Sequence, residues 1–268
     1  MKRLAPLLIS VGIFTALVAF VIVDYFGLDY ESTVSIHSLL GIVLGLFLVF
    51  RTNSAYDRWY EGRRQWGYLV NNTRSLAIKL NSILDLSSKE DRNFFARMIP
   101  NFAFATKEHL RNGVLFDELE IIDENITAEL EAAEHKPNLI LSKIYDRINK
   151  LYKEGIISGE QLFVLDHEII AFSDIIGSCE RIKATPIPYS YSMFMKKFIV
   201  TFTVTLPFGL VTEWQYWTVP IVLLIFYILV SIELIAEEIE DPFGTDINDL
   251  PTDDLSKKIR QNVQEILK

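Results

Sequence analysis

Charge is distributed in blocks along the chain. Residues 4–28, 34–50, 198–211 and 218–235 are almost free of charge, whereas 51–190 and 236–268 mix acids, bases and apolar residues at a period near 3.6. The pattern predicts an all-α membrane protein with a large soluble part. The first block is long enough at about 1.5 Å per residue to cross a hydrocarbon core of roughly 30 Å. Lys2 and Arg3 precede it as they would in a secretory signal, but the apolar run is too long for a signal core and no small-x-small cleavage pattern follows. A retained membrane helix is expected there. Asp29 and Glu31 beyond it stand without a basic residue, so that connection is expected outside and the N-terminus in the cytoplasm.

The second block is strongly apolar only over Leu39–Phe50, about 18 Å of helix, and must borrow Val34 to Ser38 to cross. His37 and Ser38 are costly against lipid and fit a wet outer mouth. A hydrogen-bonded structural role is the competing reading of His37. Ile42, Leu46 and Phe50 recur every four residues and form one stripe, with Gly41 and Gly45 on a neighbouring stripe where another helix could approach closely. Core packing and pore lining both fit the stripe taken alone. The next residues are basic and aromatic (Arg51, Tyr56, Arg58, Trp59, Tyr60), as suits a headgroup-level anchor.

Helical periodicity continues over 68–84, 91–110, 142–152 and 160–179, with Pro100 as a kink and Gly113 as a stop. Residues 117–134 are strongly acidic and read as a solvated helix face. No run alternates in the manner of a strand. Pro186 and Pro188 redirect the chain. Residues 198–211, short and broken by Pro207 and Gly209, pair with 218–235 as a membrane hairpin whose aromatic tip is 212–217. The expected organisation is 1–50 for membrane helices 1 and 2, with the pore helix at 34–50; 51–195 for a helical cytosolic region; 196–236 for the hairpin; and 237–268 for a cytosolic C-terminal segment.

A net charge of −9 and a pI near 5.0 argue against a nucleic-acid partner. The lone cysteine, Cys179, excludes an internal disulfide and suits a packed core. His37, His109, His135 and His167 stand apart in the sequence with no H-x-x-x-H spacing, and no phosphate loop, G-x-S-x-G or C-x-x-C motif occurs, so an enzyme is not expected.

Four segments carry a resemblance: S-L-L-G-I-V-L-G-L-F-L-V-F-R-T-N-S-A-Y-D-R-W from Ser38, G-S-C-E-R-I-K-A-T-P-I-P-Y-S-Y from Gly177, L-P-F-G-L from Leu206, and E-E-I-E-D-P-F-G-T-D-I-N-D-L-P from Glu237. In this order they resemble the bestrophin family, in its bacterial branch. The resemblance implies a homopentameric ion channel with four membrane helices per subunit and a helical cytosolic body around one pore, in the bacterial inner membrane with both termini cytoplasmic. It implies that Ile42, Leu46 and Phe50 line the narrow neck, a hydrophobic constriction. It also matches Glu160 to a second, cytosolic restriction, where five glutamates would favour cations such as sodium; bacterial relatives include sodium-selective channels and animal relatives conduct chloride. A non-conducting membrane scaffold is the third reading. Asp246 and Asp249 resemble the family's calcium clasp, against which a metal-free helix-capping turn competes. The implied partners are further copies of the chain, membrane lipid and monovalent ions.

Overall fold

The computed structural model describes residues 4–27, 30, 34–111, 115–120 and 124–268. Lys2, Arg3, Asp29, Glu31 and Gly113, on which parts of the sequence reading rest, lie outside them. The described residues contain no strand. Their helices are α1 (Leu4–Phe20), extended by a π-helical turn (Val21–Tyr25), α2 (Val34–Ile83), α3 (Lys89–His109), α4 (Glu124–Ala132), α5 (Lys136–Lys153), α6 (Gly159–Ala184), α7 (Tyr189–Trp214), α8 (Thr218–Glu240) and α9 (Thr252–Leu267). They form two compact units, Met1–Arg58 with Pro186–Glu240 and Trp59–Thr185 with Asp241–Lys268.

In the first unit α1, the beginning of α2, α7 and α8 pack together. Leu44 and Leu48 of α2 are buried among Met195, Ile199, Phe202 and Leu206 of α7 and Val222 and Phe226 of α8. Among the described residues, three helical stretches are long and apolar enough to cross a membrane: Leu4–Tyr25, Val34–Ile83 and Tyr189–Glu240. The last is not one rod. The chain turns at Gln215, whose φ of 45° is rare for a residue with a side chain, and α8 packs against α7. The short, broken span expected at 198–211 is instead one helix of 26 residues, because Tyr189–Lys197 and Thr212–Trp214 are helical too. Pro207 sits inside it and releases the Thr203 carbonyl without ending it, which is tolerated where neighbouring helices surround the backbone.

The second unit is built on a buried stripe of α2, Trp66, Leu69, Leu76 and Leu80, against Phe95 and Phe102 of α3, Ile144 of α5, Phe172 of α6 and Ile259 of α9. The sequence reading started a fresh helix at 68 after an interfacial collar. The helix in fact runs unbroken from 34 to 83, because within the basic, aromatic segment Arg51, Ala55, Gly62 and Trp66 are buried along one side, with Arg58 and Trp59 half-buried between them. The acidic stretch is less helical than expected among its described residues: a 3-10 turn occupies Phe116–Glu118, Leu119 and Glu120 are not helical, and α4 covers Glu124–Ala132. Burial pushes the Cys179 thiol up to about 12, far from a reactive thiolate.

An ionic clasp fastens α9 to α3. Lys107, almost wholly buried, reaches Glu118 at 2.6 Å, Asp253 at 2.7 Å and Glu108 at 3.0 Å, and Arg111 donates to Asp253 at 2.8 Å. The Arg111 hydrogen bond outweighs burial and, with that of Lys107, holds the Asp253 carboxyl at about 2, below the 3.8 of a free aspartate. A depressed folded value contributes stability that is complete above the unfolded value and lost as pH falls through the folded one. The unfolding temperature of the wild type is therefore expected to fall between about pH 4 and pH 2, more steeply than that of Asp253→Asn, which starts lower at pH 7. Equal slopes in the two proteins would deny the clasp this role.

Candidate functional site

Four-residue spacing advances a side chain by about 40° on a helix, so Ile42, Leu46 and Phe50 share a drifting stripe, and residues two before or after fall on the opposite side. That opposite side is the one this chain buries: Leu44 and Leu48 are 0% and 2% exposed. Ile42, Leu46 and Phe50 are 71%, 55% and 55% exposed. Their stripe therefore contributes nothing to the core of its own unit. Gly41 serves packing within the chain, since a Cβ there would lie 3.5 Å from the Phe202 ring, while Gly45 faces open space.

Below Phe50 lies a charged cluster that sequence reasoning read as an interfacial anchor. Arg51 is 1% exposed and donates to Glu240 at 2.6 Å, with Glu233 at 3.6 Å. The other Glu240 carboxylate oxygen accepts the Ile187 backbone N–H, and Arg58 donates to the Glu240 carbonyl. Glu233 is buried, and among the described residues neither of its carboxylate oxygens has a hydrogen-bond partner. The cluster ties α2, the start of α7 and the end of α8 together within the first unit. A signal was present: Glu233 is a lone acid inside the apolar run 218–235, and an acid in such a run needs a partner.

His37 and Ser38 both line a cavity of about 360 Å³ with Gly41, Phe202, Gly209 and Trp214. The hydrogen-bonded structural role does not hold for His37, because both of its buried ring nitrogens lack a hydrogen-bond partner among the described residues. Its ring fits only because residue 209 is glycine, where a Cβ would stand 3.1 Å from Nδ1.

The remaining sequence candidates belong to the second unit. Glu160 is exposed in the first turn of α6, which Ser158 and Gln161 close as a reciprocal capping box. Ser158 donates to the Glu160 carboxylate at 2.7 Å, and this bond, with the residue's own backbone N–H, holds the carboxyl below its usual range. Such a charge also complements the helix dipole. Ile156 and Phe163 flank it with exposed apolar side chains.

Asp246 and Asp249 share one loop. The Asp249 carboxylate accepts the Asp246 N–H at 2.6 Å, and the Asp249 N–H returns to the Asp246 carbonyl at 3.1 Å. Asp249 thus closes its own turn and does not cap α9, whose N-cap is Pro251 with no side-chain bond. Trp59 donates to the Asn248 carbonyl and Arg111 to that of Phe243, pinning the loop. Gly244 lets the carboxylate in, since a Cβ there would lie 2.6 Å from Oδ2. Burial pushes the Asp249 carboxyl up, and its Oδ1 is buried without a hydrogen-bond partner among the described residues. That oxygen suits a hard cation such as calcium, which would draw its other ligands from Asp246 and the loop carbonyls.

The histidines, isolated in the sequence, are not all isolated in space. His109 at the end of α3 and His135 at the N-cap of α5 both reach Oε1 of Glu180 on α6, at 2.8 Å and 2.7 Å. Burial alone would raise the Glu180 carboxyl, but the bonds from His135 and His109 outweigh it and hold it below the usual glutamate value. No spacing on one helix could signal this site, because it is assembled from three helices.

The chain matches the family model described as bacterial/fungal bestrophin protein over residues 1–265. It is similar to a voltage-dependent anion channel-forming protein of Nostoc, 38% identical over 84% of this chain and 75% of the relative. It is also similar to the Escherichia coli K12 protein of the same description, 31% identical over 97% of this chain and 85% of the relative. Among solved structures, a bacterial bestrophin homologue from Klebsiella pneumoniae superposes with a TM-score of 0.90 at 29% identity, covering 97% of each chain.

Proposed function

We propose, from the premise that this chain belongs to the bacterial and fungal bestrophin family, that it is a pentameric channel passing small monovalent ions passively through an apolar neck. The observation that carries the reading is the exposed stripe of Ile42, Leu46 and Phe50 on a helix that buries Leu44 and Leu48 on its opposite side. Five such stripes around an axis make a constriction that closes by steric block or by dewetting. The assembly has four membrane helices per subunit, formed by α1, the start of α2, α7 and α8, in the bacterial inner membrane with both termini cytoplasmic. His37 and Ser38 belong to its outer mouth.

The curated relatives are named as anion channel-forming, and they support anion conduction. Glu160 carries the second reading, selection of cations: exposed and ionised, it would form a ring of five carboxylates at a cytosolic restriction. Reversal potentials in planar bilayers under a sodium chloride gradient separate the two. If Glu160 selects, Glu160→Gln shifts the reversal potential toward that of chloride. An unchanged potential removes Glu160 from selection and leaves the anion reading. Calcium at Asp246 and Asp249 would act on this channel as a ligand, not as a conducted ion.

A further inference from the structure

The His109, His135 and Glu180 cluster has no part in conduction as proposed, yet it gathers two imidazoles and a carboxylate with all three donor atoms within 4.8 Å of one another. Each donor comes from a different helix, and the junction is held independently of the cluster. Lys183, one turn beyond Glu180, donates to the Leu110 and Arg111 carbonyls just past His109. The two imidazole rings lie 4.4 Å apart, centroid to centroid. Glu180 also lines a groove of about 460 Å³ with Asn138, Tyr145 and Ser173, so the carboxylate is reachable from solvent.

We infer that His109, His135 and Glu180 form a binding site for a zinc-class divalent transition-metal ion, with the groove beside Glu180 as its entry path and a water as fourth ligand. Two imidazoles and one carboxylate, with an open position, are the donor set that zinc accepts in tetrahedral geometry. Tetrahedral zinc needs donors about 3.3 Å apart, so each histidine nitrogen has to withdraw from the glutamate oxygen by only about 0.5 Å. A hard ion such as calcium or magnesium is disfavoured by the two nitrogens.

The protons can be followed. The Asn138 N–H donates to Nδ1 of His135, so the proton of the neutral ring sits on Nε2 and faces Glu180. Metal at Nε2 displaces that proton; the neutral ring then carries its proton on Nδ1, and the Asn138 bond opens. Losing one exposed cap bond of this kind weakens binding by roughly fivefold, small beside the contribution of three ligands.

The test uses the full chain, purified in detergent and stripped with a chelator, titrated with zinc sulfate by equilibrium dialysis. One saturable equivalent per chain is expected. Glu180→Gln and His135→Asn should each weaken it by at least about tenfold, and asparagine is chosen at 135 because it retains a capping side chain. His167→Gln, at an exposed histidine on α6 outside the cluster, should bind as the wild type does. Cobalt added to the stripped wild type should give the visible ligand-field bands of a four-coordinate site, a readout that needs no variant to fold. Absence of saturable zinc binding, a six-coordinate cobalt spectrum, or unchanged affinity in both cluster variants would overturn the assignment. The outcome is independent of conduction, so failure here leaves the channel reading standing.

Discussion

Ion flux through liposomes carrying the triple variant Ile42→Ala, Leu46→Ala, Phe50→Ala is expected to exceed that of the wild type by at least roughly tenfold, since every 1.4 kcal/mol removed from a permeation barrier is worth that factor. The barrier of an apolar neck is the dehydration of the ion and of the neck itself, and it falls steeply once three large side chains per subunit are cut to methyl groups. The unusual part of the expectation is that folding of the single chain should hardly suffer. Side chains exposed by half or more in their own unit contribute little to its stability, typically within about 0.5 kcal/mol each. The control is Leu44→Ala with Leu48→Ala, two residues on the same helix at the same depth but buried against α7 and α8, where each truncation costs about 2–5 kcal/mol. A channel gives high flux with normal stability in the first variant and a collapse of stability in the second. A non-conducting scaffold gives no flux in any of the three proteins, and core packing of the stripe would make the triple variant as unstable as the control.

The exposed stripe of Ile42, Leu46 and Phe50 was legible because its ingredients are local: four-residue spacing on one helix, and an apolar run that needs polar residues to complete its length. The continuity of α2 was not, because Arg51, Arg58 and Trp59 read as a collar when taken by type, and only their spacing relative to Ala55, Gly62 and Trp66 reveals that a buried stripe runs on. Arg51 makes the point most sharply. A basic residue at the end of an apolar run is ordinarily a snorkelling anchor; here two acids from the end of α8 draw it inside. Glu233 and Glu240 are about 180 residues away in sequence, and no periodicity links them to it. His109, His135 and Glu180 escaped for the same reason. Glu160 is the opposite case: the sequence names it as a candidate, the structure adds a local explanation for its charge, a capped helix start, and a measurement of selectivity separates the two.

Arg51 therefore carries the second large effect. Arg51→Met removes the nearest cation and leaves Glu233, which has no hydrogen bond among the described residues, buried with only Lys196 to offset its charge, a loss of about 3–5 kcal/mol expected for breaking a buried pair from one side. Arg51→Lys should recover only part, because a point charge on a flexible stem cannot fork between two carboxylates. Replacing both members restores part of what replacing one destroys: Arg51→Met with Glu233→Leu turns that pair into apolar packing, which is often neutral for stability, while Glu240 keeps the Ile187 N–H but loses the guanidinium. Thermal unfolding in detergent should thus place the double variant above Arg51→Met and below the wild type, with a coupling energy of at least about 1 kcal/mol between the two sites. Additive losses would mean that Glu233 is compensated in some other way. Flux then separates anchoring from conduction. Arg51 follows Phe50 directly and, on the channel reading, holds the rotation of α2 at one end of the proposed neck, so Arg51→Met should leak, and the double variant, with its helix face packed again, should close as the wild type does. A double variant that is stable yet still leaks would assign the guanidinium itself, and not the packing it anchors, to the control of the neck.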